Sequence, residues 1–156
     1  MEPIQIEPIG IVRSPIADPS RDEYWGGIQA VVELNVAADA VKGLDQFSHI
    51  VVIYHFDQVS AGQVERGARH PKGREDWPSV GILSQRAKRR PNRIGVSTCR
   101  LLKIDGVKLT VEDLDAIDGS PVIDVKPYMS GFGPRGEVRE PQWSVELMST
   151  YFAPSK

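Results

Sequence analysis

The chain has a single cysteine, Cys99, so no intrachain disulfide is available and the sequence fits a reducing compartment. Its neighbours Val96, Leu101 and Leu102 are apolar, which reads as a small buried hydrophobe rather than a reactive thiol. Histidines are also scarce, three in all. An extended strand would hold His49 and His55 about 20 Å apart. They cannot then share an ion, and His55 with Asp57 offers only two ligands, so no metal is assigned. No apolar run reaches membrane-spanning length, and Met1 to Ile4 carry no basic leader region; the expected location is the cytoplasm. Alternating strand and helix patterns are missing, which argues against a doubly wound fold. Gly131-Phe132-Gly133-Pro134-Arg135-Gly136 spells G-x-G-x-x-G, but the pattern opens no helix at the glycines, so it reads as a turn.

What the sequence does hold is turns and short apolar runs. It has 156 residues, 40% of them hydrophobic, with 14 glycines and 12 prolines. That is enough for one packed domain with many chain reversals. Apolar patterning predicts strands over residues 4–12, 28–34, 50–56, 80–83, 94–102, 107–111 and 122–128. The run 50–56 is nearly continuous and is expected to be buried on both faces. Residues 37–41 read as a short helix, 57–79 as a mobile polar excursion, and 141–151 as an amphipathic helix carrying Trp143, Val145, Leu147 and Met148. The expected fold is all-β: a single small β-barrel over residues 1–140 with a short C-terminal helical extension, 141–156.

Charge is unevenly spread. The formal net charge is −2, but residues 66–100 hold ten Lys and Arg against Glu75 and Asp76, a local +8 that leaves −10 elsewhere. Arg86, Lys88, Arg89, Arg90 and Arg93 share one turn around Pro91-Asn92, a pair that makes a rigid corner. Like charges on a rigid corner repel, a cost that a docked polyanion offsets. A solvated basic loop has the same composition. Glu112, Asp113, Asp115 and Asp118 crowd a second turn. Carboxylates there suit ribose hydroxyls or a positive sulfonium, and a solvated acidic turn is the plainer reading. Tyr24 and Trp25 beside Gly26-Gly27 either close over a flat ligand or pack their own loop down.

The stretch from Gly81 to Asn92, ending Arg-Pro-Asn, resembles the signature of the TsaA-like (TrmO) family. So do Ile9, Gly10, Ser14 and Pro15, the segment from Leu44 to His49, and Asp118 to Tyr128. Arg93 stands where the family usually has a second Pro, which marks a divergent branch. The resemblance implies an S-adenosylmethionine-dependent methyltransferase acting on N6 of threonylcarbamoyl-adenosine beside the anticodon of tRNA. It carries cofactor contacts over to Asp57, Gln58, Arg86, Val96, Glu112, Asp113, Leu114 and Asp115, with the loop at Trp25-Gly26-Gly27 in the early cofactor-loop position. Arg89, Arg90, Asn92 and Arg93 are the candidates for anticodon-loop phosphates. Asp124, Lys126 and Tyr128 face one way on a regular strand and are candidates to accept a proton or position substrate. A homodimer is expected by analogy with the family. Two other readings stay open: a non-catalytic RNA-binding barrel, and a methyltransferase acting on a small molecule.

Overall fold

The computed structural model describes residues 1–154. Ser155 and Lys156, the end of the expected extension, lie outside the described residues. The chain is mainly β. Its strands are β1 (Gly10–Arg13), β2 (Gln29–Leu34), β3 (His49–His55), β4 (Ala68–Arg69), β5 (Val80–Gly81), β6 (Ile94–Asp105), β7 (Lys108–Glu112) and β8 (Pro121–Pro127). Six of them close a barrel in the order β1-β2-β7-β6-β3-β8, each antiparallel to its neighbours. β4 and β5 pair separately. Among the described residues one α-helix, α1 (Gln142–Met148), follows the barrel.

Period-two alternation builds the interior. Val12, Ala30, Val32, Ile50, Val52, Tyr54, Cys99, Leu109, Val111 and Val122 all turn inward and form one core with Leu114 and Ala116. Closure removes the exposed sheet edges that short strands would otherwise present.

Five expectations need correction. β3 is not buried on both faces: Ile50, Val52 and Tyr54 are buried, while His49, Val51, Ile53 and His55 are only half-buried on the outside. The reason is architectural, since a small antiparallel barrel has one interior and no covering layer of helices. The first strand starts at Gly10 rather than residue 4, because Pro3 and Pro8 lack the N–H a ladder needs, and Ile4 and Ile6 stay exposed. Residues 80–83 are strand only at Val80–Gly81; the chain then makes a 3₁₀ turn, Ile82–Ser84, that buries Ile82. The excursion 57–79 is tied down. Trp77 is buried, the Arg74 guanidinium stands 3.8 Å from the centre of its ring, and its indole N–H donates to Glu146 of α1 at 2.8 Å. The amphipathic helix itself is shorter than its pattern, ending at Met148.

Candidate functional site

At one end of the barrel, the loop after β1, the end of β3, the cationic turn and the turn after β7 meet around a cavity of about 260 Å³. Its wall combines aromatic faces (Trp25, Tyr54, Phe56), cations (Arg21, Lys88, Arg89) and one carboxylate, Asp115. Each comes from a different local cause. Tyr54 is the last inward residue of β3, and it reaches the cavity because Gly95 lies opposite it in the β3–β6 ladder. A Cβ on Gly95 would sit 2.5 Å from the tyrosine ring. Asp115 follows Leu114, which is fully buried and anchors the turn.

Asp115 is surrounded by hydroxyls. Ser97 of β6 donates to Oδ1, and Tyr151, from the segment after α1, donates to Oδ2. The Tyr54 hydroxyl lies 3.0 Å from the Asp115 carbonyl oxygen and 3.1 Å from Oδ1, and its one proton serves either. Burial raises the Asp115 pKa above the usual carboxylate value, against the pull of the Tyr151 and Tyr54 hydroxyls and the nearby Arg86 charge. Burial and the Asp115 charge push both tyrosines up, so they remain donors at neutral pH. Trp25 is 2% exposed, and its indole N–H is buried with no hydrogen-bond partner. A buried donor without an acceptor costs roughly 1–3 kcal/mol, and this one belongs to a side chain that lines the cavity. Burial also pulls the Lys88 ammonium below its usual pKa.

The cationic corner is braced by its own guanidiniums. Arg90 donates to the Gln85 carbonyl at 2.6 Å, Arg93 to the Val59 carbonyl, and Arg86 to the Val96 carbonyl at 2.8 Å. Asn92 and Arg93 both take left-handed backbone angles, φ 63° and 53°. Gln85, buried beneath them, donates to the carbonyls of Arg69 and Val80, each at 3.0 Å.

Of the residues singled out in the sequence, Trp25, Gln58, Lys88, Arg89 and Asp115 come together on the cavity wall. Arg86 stands close enough to act on the charge of Asp115. Asp113 accepts the Gly27 N–H at 2.8 Å and so ties the Trp25 loop to the acidic turn. Leu114 is core. Asp57 is exposed and accepts from Gln58, Glu112 pairs with Arg100 at 3.1 Å, and Val96 lies on the outer face of β6. Asp124, Lys126 and Tyr128 do not line this cavity. Asp124 and Lys126 pair at 2.8 Å on the barrel exterior, and Tyr128 lies 6.5 Å from His49, ring centre to ring centre. Sequence reading missed Tyr54, Ser97 and Tyr151. The two tyrosines lie 61 and 36 residues from Asp115 along the chain, and no local spacing announces either contact.

Residues 13–133 match the family model described as the tRNA-methyltransferase O N-terminal domain. The chain belongs to that family. Among TrmO-related proteins, it is 39% identical over 132 residues to a probable S-adenosyl-L-methionine-binding protein of Methanothermobacter thermautotrophicus, covering 80% of this chain and 90% of the relative. It is 34% identical over 140 residues to the tRNA (adenine(37)-N6)-methyltransferase of Escherichia coli, covering 83% of this chain and 59% of that one. A crystal structure of TrmO from Pseudomonas aeruginosa superposes with a TM-score of 0.73 at 25% identity, covering 92% of this chain and 62% of that chain. The chain thus spans about three fifths of these two longer TrmO proteins. The span matched by the TrmO family model holds Trp25, Tyr54, Ser97 and Asp115; α1 and Tyr151 lie beyond it.

Proposed function

We propose that the chain is an S-adenosylmethionine-dependent methyltransferase acting on N6 of threonylcarbamoyl-adenosine next to the anticodon in tRNA; the name of its Escherichia coli relative, tRNA (adenine(37)-N6)-methyltransferase, supports the tRNA adenine N6 part of this reading. The observation that carries this reading is the cavity at Asp115: a hydroxyl-held carboxylate facing aromatic rings and a buried indole N–H without a partner. The residues present fit the cofactor. Asp115 offers negative charge to a sulfonium or ammonium, and Trp25, Tyr54 and Phe56 offer flat apolar surface to a purine. Gln58 lines the same cavity and Arg86 and Asp113 support it, while Asp57, Val96, Glu112 and Leu114, the other cofactor contacts implied by the resemblance, do not line it. When bound, the cofactor supplies a methyl group already activated on sulfur. The protein's task is then alignment and exclusion of water.

In this reading residues 1–140 are the working barrel and 141–156 its tail, and the protein works in the cytoplasm. Arg89, Arg90, Asn92 and Arg93 hold anticodon-loop phosphates. Asp124, Lys126 and Tyr128, on the exterior, take part only where RNA or a second copy brings a cleft to them. A homodimer has support from exposed apolar side chains near that face: Val96 at 42%, Tyr128 at 43%, Met129 at 44% and Phe132 at 87%. Among the described residues no helix is long and apolar enough to cross a membrane.

The test is calorimetric titration with S-adenosylmethionine, followed by methyl transfer to total tRNA from cells lacking the modification. Heat of binding together with methyl incorporation is expected. Binding without transfer to tRNA points to a small-molecule acceptor. RNA binding with no cofactor binding leaves a non-catalytic RNA-binding barrel.

A further inference from the structure

The segment after α1 docks on the loop that carries Trp25. Tyr24 N–H donates to the Thr150 carbonyl at 3.2 Å, Trp25 N–H to the Tyr151 carbonyl at 2.8 Å, and Gly26 N–H to the Ala153 carbonyl at 3.1 Å. The Thr150 hydroxyl adds a bond to Glu23 at 2.8 Å, and Gly26 bridges Pro154 in parallel. Only glycine permits this approach. A Cβ on residue 26 would lie 2.1 Å from the Phe152 carbonyl oxygen. One short strap therefore fixes the backbone under Trp25 and, through the Tyr151 hydroxyl, the far oxygen of Asp115.

We propose that Tyr151 is a positioning residue of the site: its hydroxyl holds Oδ2 of Asp115 so that the carboxylate is fixed and ionised at the cavity wall for a cationic group of the cofactor. The proposal rests on the reading that this cavity takes S-adenosylmethionine. It extends the site to a segment beyond the matched residues 13–133.

The division of labour around Asp115 supports it. Oδ1 is served by Ser97 from β6 and, in alternation, by Tyr54 from β3. Among the described residues Tyr151 is the donor to Oδ2. The remaining charged or titratable neighbours are Arg86 from the cationic turn, Asp113 on the same acidic turn, Cys99 from β6 and Asp22 near Tyr151. Of these, Arg86 favours the ionised carboxylate. A hydroxyl donated to a buried carboxylate stabilises the charged form and opposes the effect of burial. Removing it leaves the carboxyl easier to protonate and free to rotate.

The experiment compares the full chain with Tyr151→Phe, which keeps the ring and loses the hydroxyl. The Asp115 carboxyl is titrated by carbon NMR without cofactor, and S-adenosylmethionine binding is measured calorimetrically across pH. In Tyr151→Phe the titration midpoint rises, binding at neutral pH weakens about tenfold, which is about 1.4 kcal/mol, and the acid limb of binding moves to higher pH. Gly26→Ala, which pushes the strap away from its own side, shifts the same three quantities in the same direction. Weaker binding with an unmoved midpoint and an unmoved acid limb overturns the proposal, because general loosening does that. A parent protein that binds no S-adenosylmethionine defeats the cofactor reading alone; the NMR midpoint still decides whether Tyr151 holds Asp115.

Discussion

A carboxylate drawn out of water is a liability that only a partner justifies, and Asp115 shows both sides of that exchange. Burial raises its pKa while the Tyr151 and Tyr54 hydroxyls and Arg86 hold it back. The sign of the consequence follows by linkage. An unfolded Asp titrates near 3.9, and the folded group titrates higher. Between those two values the folded protein binds more protons than the unfolded one, so stability falls as pH rises through the window and levels off above it. Asn at this position cannot ionise. Thermal melts at a series of pH values should therefore show Asp115→Asn gaining on the parent as pH rises from about 4, while its S-adenosylmethionine binding is lost at every pH. A stability difference that does not change with pH would mean that the carboxyl is not strained by burial. Cys99, one strand residue beyond the Ser97–Thr98 pair, feels the same surroundings: burial first, then the Asp115 charge, push its thiol up to about 12, so it is protonated and inert at neutral pH.

Elements matter here through where two of them let a third side chain pass. Tyr54 reaches Asp115 only because β6 presents Gly95 opposite it, and the Tyr54 and Phe56 rings then meet edge to face with centres 5.2 Å apart. In Gly95→Ala the new methyl would lie 2.5 Å from the Tyr54 ring and 2.9 Å from Phe56. The ring must leave its place or the strands must part. A loss of about 1–3 kcal/mol in denaturant unfolding is expected, accompanied by weaker cofactor binding; a variant with parental stability and binding would show that the ring has room. Much of this layer was legible in the sequence. Alternation placed the strands around Val32, Val52, Leu109 and Val122. Other parts were not legible. Val80 to Leu83 carries a strand's composition, but the backbone turns at Ile82, which buries the Ile82 side chain, and Gln85 just beyond donates back to the Arg69 and Val80 carbonyls. Tyr151 reads as one more apolar position on a helix pattern, yet the helix stops at Met148 and the residue crosses to the barrel mouth. Long-range pairing of that kind leaves no periodic trace.

Across the whole molecule, a chain of net charge −2 concentrates +8 in residues 66–100. Such separation orients the approach of a polyanion, since the basic side attracts and the rest repels. The braced corner does not spend that charge. A guanidinium has five N–H donors, and Arg90 and Arg93 each donate to a carbonyl of this chain while keeping their positive charge and further donors for phosphate. Bracing also means that the corner need not be ordered on binding, which spares conformational entropy. If Arg89, Arg90 and Arg93 each neutralise one phosphate of a single-stranded loop, log affinity for tRNA should fall against log salt with a slope of about −2. Arg89→Ala is the informative variant, because Arg90 and Arg93 also hold the turn together. Measured without cofactor, to keep the shared cavity wall out of the comparison, Arg89→Ala should reduce the slope by roughly 0.7 to 1 while weakening binding to different tRNAs alike. Arg89→Lys, which keeps the charge, should restore most of the slope. An unchanged slope in Arg89→Ala would place the phosphates elsewhere on the basic face and detach the corner from the RNA.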